Sequence, residues 1–146
     1  MKRTVTILGG DERMAWLAES LRREGYIIRL AALQPPAPLK NRLPQPEPPD
    51  RLLPESETVI LAVPTVGPDG MLRTPTVPER YPLAECLRLL PEGAMVLGGT
   101  LPPDCRKIVE ERHSAYTDLL ALPELQELNA IATAEGAVAL AMREQN

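Results

Sequence analysis

The chain is 146 residues long, with 16 basic against 20 acidic residues, a net charge of −4, 44% hydrophobic and only 3% aromatic residues. This composition suits one domain with a core of its own, and the lack of a basic cluster or arm, with few rings to stack on bases, excludes nucleic-acid binding. No apolar run is long enough to span a bilayer, and Lys2-Arg3 lead straight into a strand-like segment without a signal-peptide pattern, so a cytoplasmic protein off the membrane is expected.

The run Thr4-Val5-Thr6-Ile7-Leu8, ended by Gly9-Gly10, reads as a buried strand. Asp11 is placed to cap a helix in which Met14, Leu17, Ala18 and Leu21 repeat at helical spacing, with Gly25 as its stop. Residues 26–33 read as a second strand, completing a βαβ opening for a parallel sheet. Residues 34–54 hold eight of the 17 prolines. They are expected to form neither helix nor central strand but an extended, semi-rigid crossover on the surface; a disordered linker is the competing reading. A third strand over 58–63 ends at Pro64, and a loop carrying Gly67-Pro68-Asp69-Gly70 leads to a helix over 82–90. A fourth strand over 94–97 is closed by Gly98-Gly99-Thr100. Pro102-Pro103-Asp104 then open a helix running to His113, with proline at the first turn as helix starts favour. A weaker fifth strand over 116–120 and a short helical turn over 123–128 precede a terminal helix. The fold class that follows is α/β: a three-layer open sheet of about five mostly parallel strands, flavodoxin-like or Rossmann-like.

The terminal stretch from Asn129 has an unusual composition. Between Ala130 and Met142 its only polar side chains are Thr133 and Glu135. A helix so apolar around its circumference needs cover on more than one side. Either a second copy of the chain or a further domain is expected to supply it. The chain is therefore divided at 128: residues 1–128 as the α/β domain and 129–146 as a hinge helix leading toward a domain not included in these residues.

Ligands of open α/β sheets sit beyond the carboxyl ends of the strands. Here those ends carry Gly9-Gly10-Asp11, Pro64-Thr65-Val66-Gly67 and Gly98-Gly99-Thr100. Two readings compete for these glycines: tight strand-to-helix turns, or backbone amides left open to an anion. Asp11 is read as a helix cap in preference to a catalytic acid. Arg13 is either a solvated surface residue or the partner of a substrate carboxylate. The first turn is not a dinucleotide fingerprint. Aligning Gly9 with the first glycine of G-x-G-x-x-G places Asp11 where the backbone must approach pyrophosphate and Met14 where helix and strand must touch. The second strand ends Leu33-Gln34-Pro35, without the acid that would hold a ribose, so no cofactor-binding residue is expected in this chain.

Other chemistries find no residues. A receiver domain needs an aspartate after the third strand, where Ala62-Val63-Pro64 stands. A flavodoxin needs aromatic rings around its flavin, and the chain has no Phe, three Tyr and one Trp. His113, the only histidine, sits at a helix end among charges and reads as solvated or capping. Cys86 and Cys105, with no CxxC, read as free thiols rather than a bridge, and no metal site is expected.

Taken in order, Ile7-Leu8-Gly9-Gly10-Asp11-Glu12-Arg13, Ile60-Leu61-Ala62-Val63-Pro64-Thr65-Val66, Leu97-Gly98-Gly99-Thr100-Leu101-Pro102 and Asn129-Ala130-Ile131-Ala132-Thr133-Ala134-Glu135-Gly136-Ala137 resemble the N-terminal domain of the dipicolinate synthase A subunit. The last segment is the most specific, matching N-x-I-P-T-A-E-G-A except that Ala132 stands in place of proline. The resemblance implies a sporulation oxidoreductase that forms pyridine-2,6-dicarboxylate from a dihydro- or hydroxytetrahydro-dipicolinate. It also implies NAD(P) held by a second, Rossmann domain, as in D-2-hydroxyacid dehydrogenases, and a second synthase subunit as a partner. On that reading this is the substrate-side domain, expected to be inactive by itself.

The expected substrate-binding residues are Gly10, Arg13, Thr65, Gly99, Thr100, Asn129 and Thr133. Glu135 either orients the hinge or poises a proton near the cofactor. The rival reading is a stand-alone α/β small-molecule-binding or oligomerisation module, whose terminal helix packs against a second copy.

Overall fold

The computed structural model describes residues 3–119. Expectations for Asn129, Thr133, Glu135, the turn over 123–128 and the terminal helix lie outside the described residues. Five strands form one sheet: β1 (Thr4–Leu8), β2 (Ile27–Ala31), β3 (Thr58–Leu61), β4 (Met95–Gly98) and β5 (Ala115–Asp118). Their spatial order is β2-β1-β3-β4-β5, and every pairing is parallel. Among the described residues four α-helices accompany them: α1 (Glu12–Arg23), α2 (Pro49–Leu52), α3 (Leu83–Leu89) and α4 (Pro103–Glu111).

The period-2 alternation of the strands divides the interior into two layers. Ile7, Leu30, Ile60 and Leu97 pack with the α1 residues Met14, Leu17, Ala18 and Leu21. Leu8, Val59, Leu61 and Val96 pack on the other side with Leu83, Cys86 and Leu87 of α3 and Cys105, Ile108 and Val109 of α4. Each of the larger aliphatic side chains so buried contributes about 1.5–3 kcal/mol. Both thiols are free and buried. Burial pushes each to about 11, so they stay protonated and act as small apolar packing groups.

Helix ends follow local chemistry. Asp11 caps α1 by accepting from the Arg13 amide. At the other end, Gly25 donates to Arg22 and Tyr26 to Leu21, the paired bonds of a Schellman stop. The same motif ends α4, where His113 donates to Glu110 and Ser114 to Val109. His113 there holds a positive φ of 54°, a position that glycine fills at lower cost.

The Pro-rich segment departs from expectation. Instead of an extended surface crossover, it contains a 3-10 turn at Ala37–Leu39, then α2 and a second 3-10 turn at Leu53–Glu55. Proline is compatible with these short pieces because it sits at their first positions, where its missing N–H is no loss. Its leucines are also buried: Leu39 and Leu43 on the α1 side, Leu52 and Leu53 on the α3–α4 side. The segment further protects the β2 edge, since the Glu47 amide donates to Leu30 and its carboxylate pairs with Arg29 at 2.9 Å. Glu19 of α1, only 5% exposed at its side chain, pairs within its own helix with Arg22 at 2.8 Å and reaches the segment at Arg42, 3.8 Å away.

Candidate functional site

The order β2-β1-β3 creates a switch point: the chain leaves β1 toward one edge and continues from β3 toward the other. The carboxyl ends of β1 and β3 therefore define the crevice in which a ligand is expected. An open depression at the opposite, amino-terminal edge is walled by Thr4, Thr6, Glu24, Arg29, Glu55 and neighbouring residues. There Arg29 is already engaged by Glu47 and Glu55, and Thr6 by Ser56. Convergent groups free for a ligand are not evident among those side chains, and the switch point remains the stronger candidate.

Beyond β1 the chain turns through Gly9 and Gly10, with φ of 71° and 91°. The turn is closely packed. A Cβ on Gly10 would stand 2.4 Å from the Met14 side chain and 3.0 Å from that of Ala62, and one on Gly9 would stand 2.9 Å from the Arg73 carbonyl. What presses against this turn is the loop after β3. From Thr65 the chain runs out, reverses at Gly67-Pro68-Asp69-Gly70 and returns antiparallel, pairing Val66 with Leu72. Arg73 then bridges the two strand ends: its amide donates to Thr65 at 3.0 Å and its carbonyl accepts from Gly10 at 2.7 Å. At the tip, Asp69 pairs with Arg80 and accepts from the Met71 amide.

This geometry revises the expectation of open amides. The Gly10 N–H is taken by Arg73. The Gly99 N–H donates to Thr65 Oγ1 at 2.9 Å, and that hydroxyl donates to the Ala62 carbonyl at 2.6 Å. Thr65 is 1% exposed, so in this arrangement it holds the turn rather than meeting a ligand. On the other side of Gly99, the Tyr116 hydroxyl donates to its carbonyl. Burial, then the nearby Asp118 carboxylate, push the Tyr116 phenol well above its ordinary range and keep it a donor. Gly98 is needed for this closeness, because a Cβ there would lie 2.7 Å from the Tyr116 oxygen. Thr100 is exposed, with its hydroxyl 3.4 Å from Asp118.

Arg13 is openly presented, with its side chain 72% exposed. Its guanidinium is held by Asp11: Nε reaches both carboxylate oxygens at 3.2 and 3.1 Å, and Nη2 reaches Oδ2 at 2.9 Å. The hydrogen bonds from Arg13 hold the Asp11 carboxyl below its ordinary value, with smaller help from the charge of Arg73. The structure thus groups Gly10 and Arg13 at the β1 end, joins Thr65 to Gly99 between β3 and β4, and places Thr100 beside β5. Sequence reasoning marks neither Arg73 nor Tyr116. Nothing in the local sequence distinguishes Arg73; its importance comes from the backward pairing of the loop.

The β1 turn does not fit a dinucleotide. The Arg73 carbonyl occupies the amide that would face pyrophosphate, and Met14 fills the space over Gly10. Among the described residues no three His, Cys, Asp or Glu side chains gather as metal ligands, and no helix is long and apolar enough to cross a membrane.

Two solved structures share the fold. The dipicolinate synthase A chain from Bacillus subtilis superposes with a TM-score of 0.69 at 19% identity, covering 98% of this chain and 48% of the other. The A subunit of dipicolinate synthase from Bacillus halodurans gives 0.72 at 18% identity, covering 97% and 48%. The chain thus spans about half the length of each, 48%. No curated protein sequence matches it significantly. The family model described as the N-terminal domain of the dipicolinate synthase A subunit matches residues 4–120, and the chain belongs to that family.

Proposed function

We propose that this chain is the substrate-side domain of a two-domain NAD(P)-dependent oxidoreductase that forms pyridine-2,6-dicarboxylate from a dihydro- or hydroxytetrahydro-dipicolinate in sporulation. Membership of the family over residues 4–120 carries the reading. The relatives' greater length and the poor fit of the β1 turn to a dinucleotide support placing the cofactor on a domain outside these residues. Bound there, NAD(P) supplies the hydride acceptor.

The part of this chain is to bind and orient. The switch-point rim would face the cleft, with Arg13 taking a substrate carboxylate and Thr100 offering a hydroxyl. Thr65 and Gly99 shape the wall behind them. Asn129, Thr133 and Glu135 are proposed to complete the cleft from the hinge, and a second synthase subunit is a proposed partner. The test is NAD(P)H formation by the full-length protein supplied with either reduced dipicolinate, together with identification of the pyridine product. No NAD(P)H formation from either substrate, with or without the second subunit, overturns the proposal.

A further inference from the structure

Arg73 emerges from the strap that closes the switch point. Its main chain is fixed on both sides, by its amide to Thr65 and its carbonyl from Gly10. This places the root of an exposed arginine directly against the β1 turn. Among the described residues no hydrogen bond or ion pair occupies its guanidinium, whereas Arg80 in the same loop is committed to Asp69. Its charge nonetheless reaches Asp11, whose carboxylate it helps to keep ionised.

Across the turn, Arg13 is oriented rather than free. Asp11 occupies Nε and one N–H of Nη2. A guanidinium has five N–H groups, so the edge formed by Nη1 and the remaining Nη2 proton still faces away from Asp11. That edge can accept a second carboxylate in bidentate fashion. Two guanidinium groups against one carboxylate leave a net positive charge at the rim.

We propose that Arg73 is a second anion-contacting residue of this rim, acting with the Asp11-oriented Arg13 so that the site holds a ligand carrying two carboxylates in preference to one. The inference rests on reading the rim as the dicarboxylate side. Asp11 is a positioning residue in this arrangement. It fixes which edge of Arg13 is presented and touches no ligand itself. Specificity follows from charge count, since a ligand with one carboxylate leaves one arginine unmatched.

The test titrates the 146-residue chain with pyridine-2,6-dicarboxylate and, separately, pyridine-2-carboxylate, by calorimetry and amide chemical shifts. The unaltered chain should bind the dicarboxylate at least about tenfold more tightly, the scale of one charge-assisted hydrogen-bonded pair. Arg73→Gln and Arg73→Ala should each abolish that preference while leaving the amide spectrum folded, and Arg80→Ala should preserve it. A preference that survives both Arg73 substitutions overturns the role of Arg73 and leaves the dicarboxylate reading standing. Binding of neither compound by the unaltered chain overturns the rim as a dicarboxylate site, and the clamp with it.

Discussion

Replacing Thr65 by Val tests whether the rim is built from the inside as described. Valine has nearly the same shape but removes Oγ1, which accepts from Gly99 at 2.9 Å and donates to Ala62 at 2.6 Å. With Thr65 only 1% exposed, water cannot readily replace the missing partner. An orphaned buried amide costs about 1–3 kcal/mol, and the second lost bond about 0.5–1.5. The added methyl returns about 0.8 kcal/mol through burial. A net loss of about 1–4 kcal/mol is expected, which lowers a urea midpoint by roughly 1 M for a domain of this size. Thr65→Ser keeps the oxygen and should cost no more than about 1 kcal/mol. Urea unfolding, with hydrogen exchange at Gly99, gives both readouts. A Val variant within about 0.5 kcal/mol of the original, with Gly99 protection unchanged, refutes the network, since that is the ordinary scatter of neutral substitutions.

Three further outcomes are expected. Gly10→Ala places a Cβ 2.4 Å from Met14 in backbone with φ of 91°, so calorimetric melting should show a loss of about 2 kcal/mol or more. Glu19, held below its ordinary value of 4.5 chiefly by its hydrogen bonds from Arg22, stabilises the fold when ionised. That contribution is full above 4.5 and lost as pH falls through the depressed folded value, so Glu19→Gln should flatten the acid limb of a stability-versus-pH curve. Substituting Gly for His113, at φ of 54°, should raise stability by about 0.5–1 kcal/mol in the same melts, because the exposed contact with Glu92 at 3.7 Å contributes little.

Much of the fold is legible in the sequence because its determinants are local. Thr4–Leu8 ends at paired glycines, Asp11 supplies a cap and Gly25 a stop, and the strands alternate with helical repeats in the order a parallel sheet requires. The Pro-rich segment is not legible in this way, because proline counts reveal what the backbone avoids, not where intervening leucines go. Leu39, Leu43, Leu52 and Leu53 find burial only when both faces of the sheet exist. The proposed rim is legible as a place, since Gly10, Thr65 and Gly99 follow strand ends and Arg13 opens the helix after the first. Its internal wiring is not. The bonds from Gly10 to Arg73 and from Tyr116 to Gly99 join residues distant in sequence, and no local motif announces them.

The rim's role as the substrate side of the cleft is tested most directly by the pair of Michaelis constants of the proposed two-domain protein before and after Arg13→Ala. KM for the reduced dipicolinate should rise by about tenfold or more, the loss of about 1.5–3 kcal/mol typical of a charged hydrogen bond, while KM for NAD(P) stays as it was. An unchanged substrate KM would make Arg13 an ordinary surface residue and contradict the rim as the substrate side of the cleft.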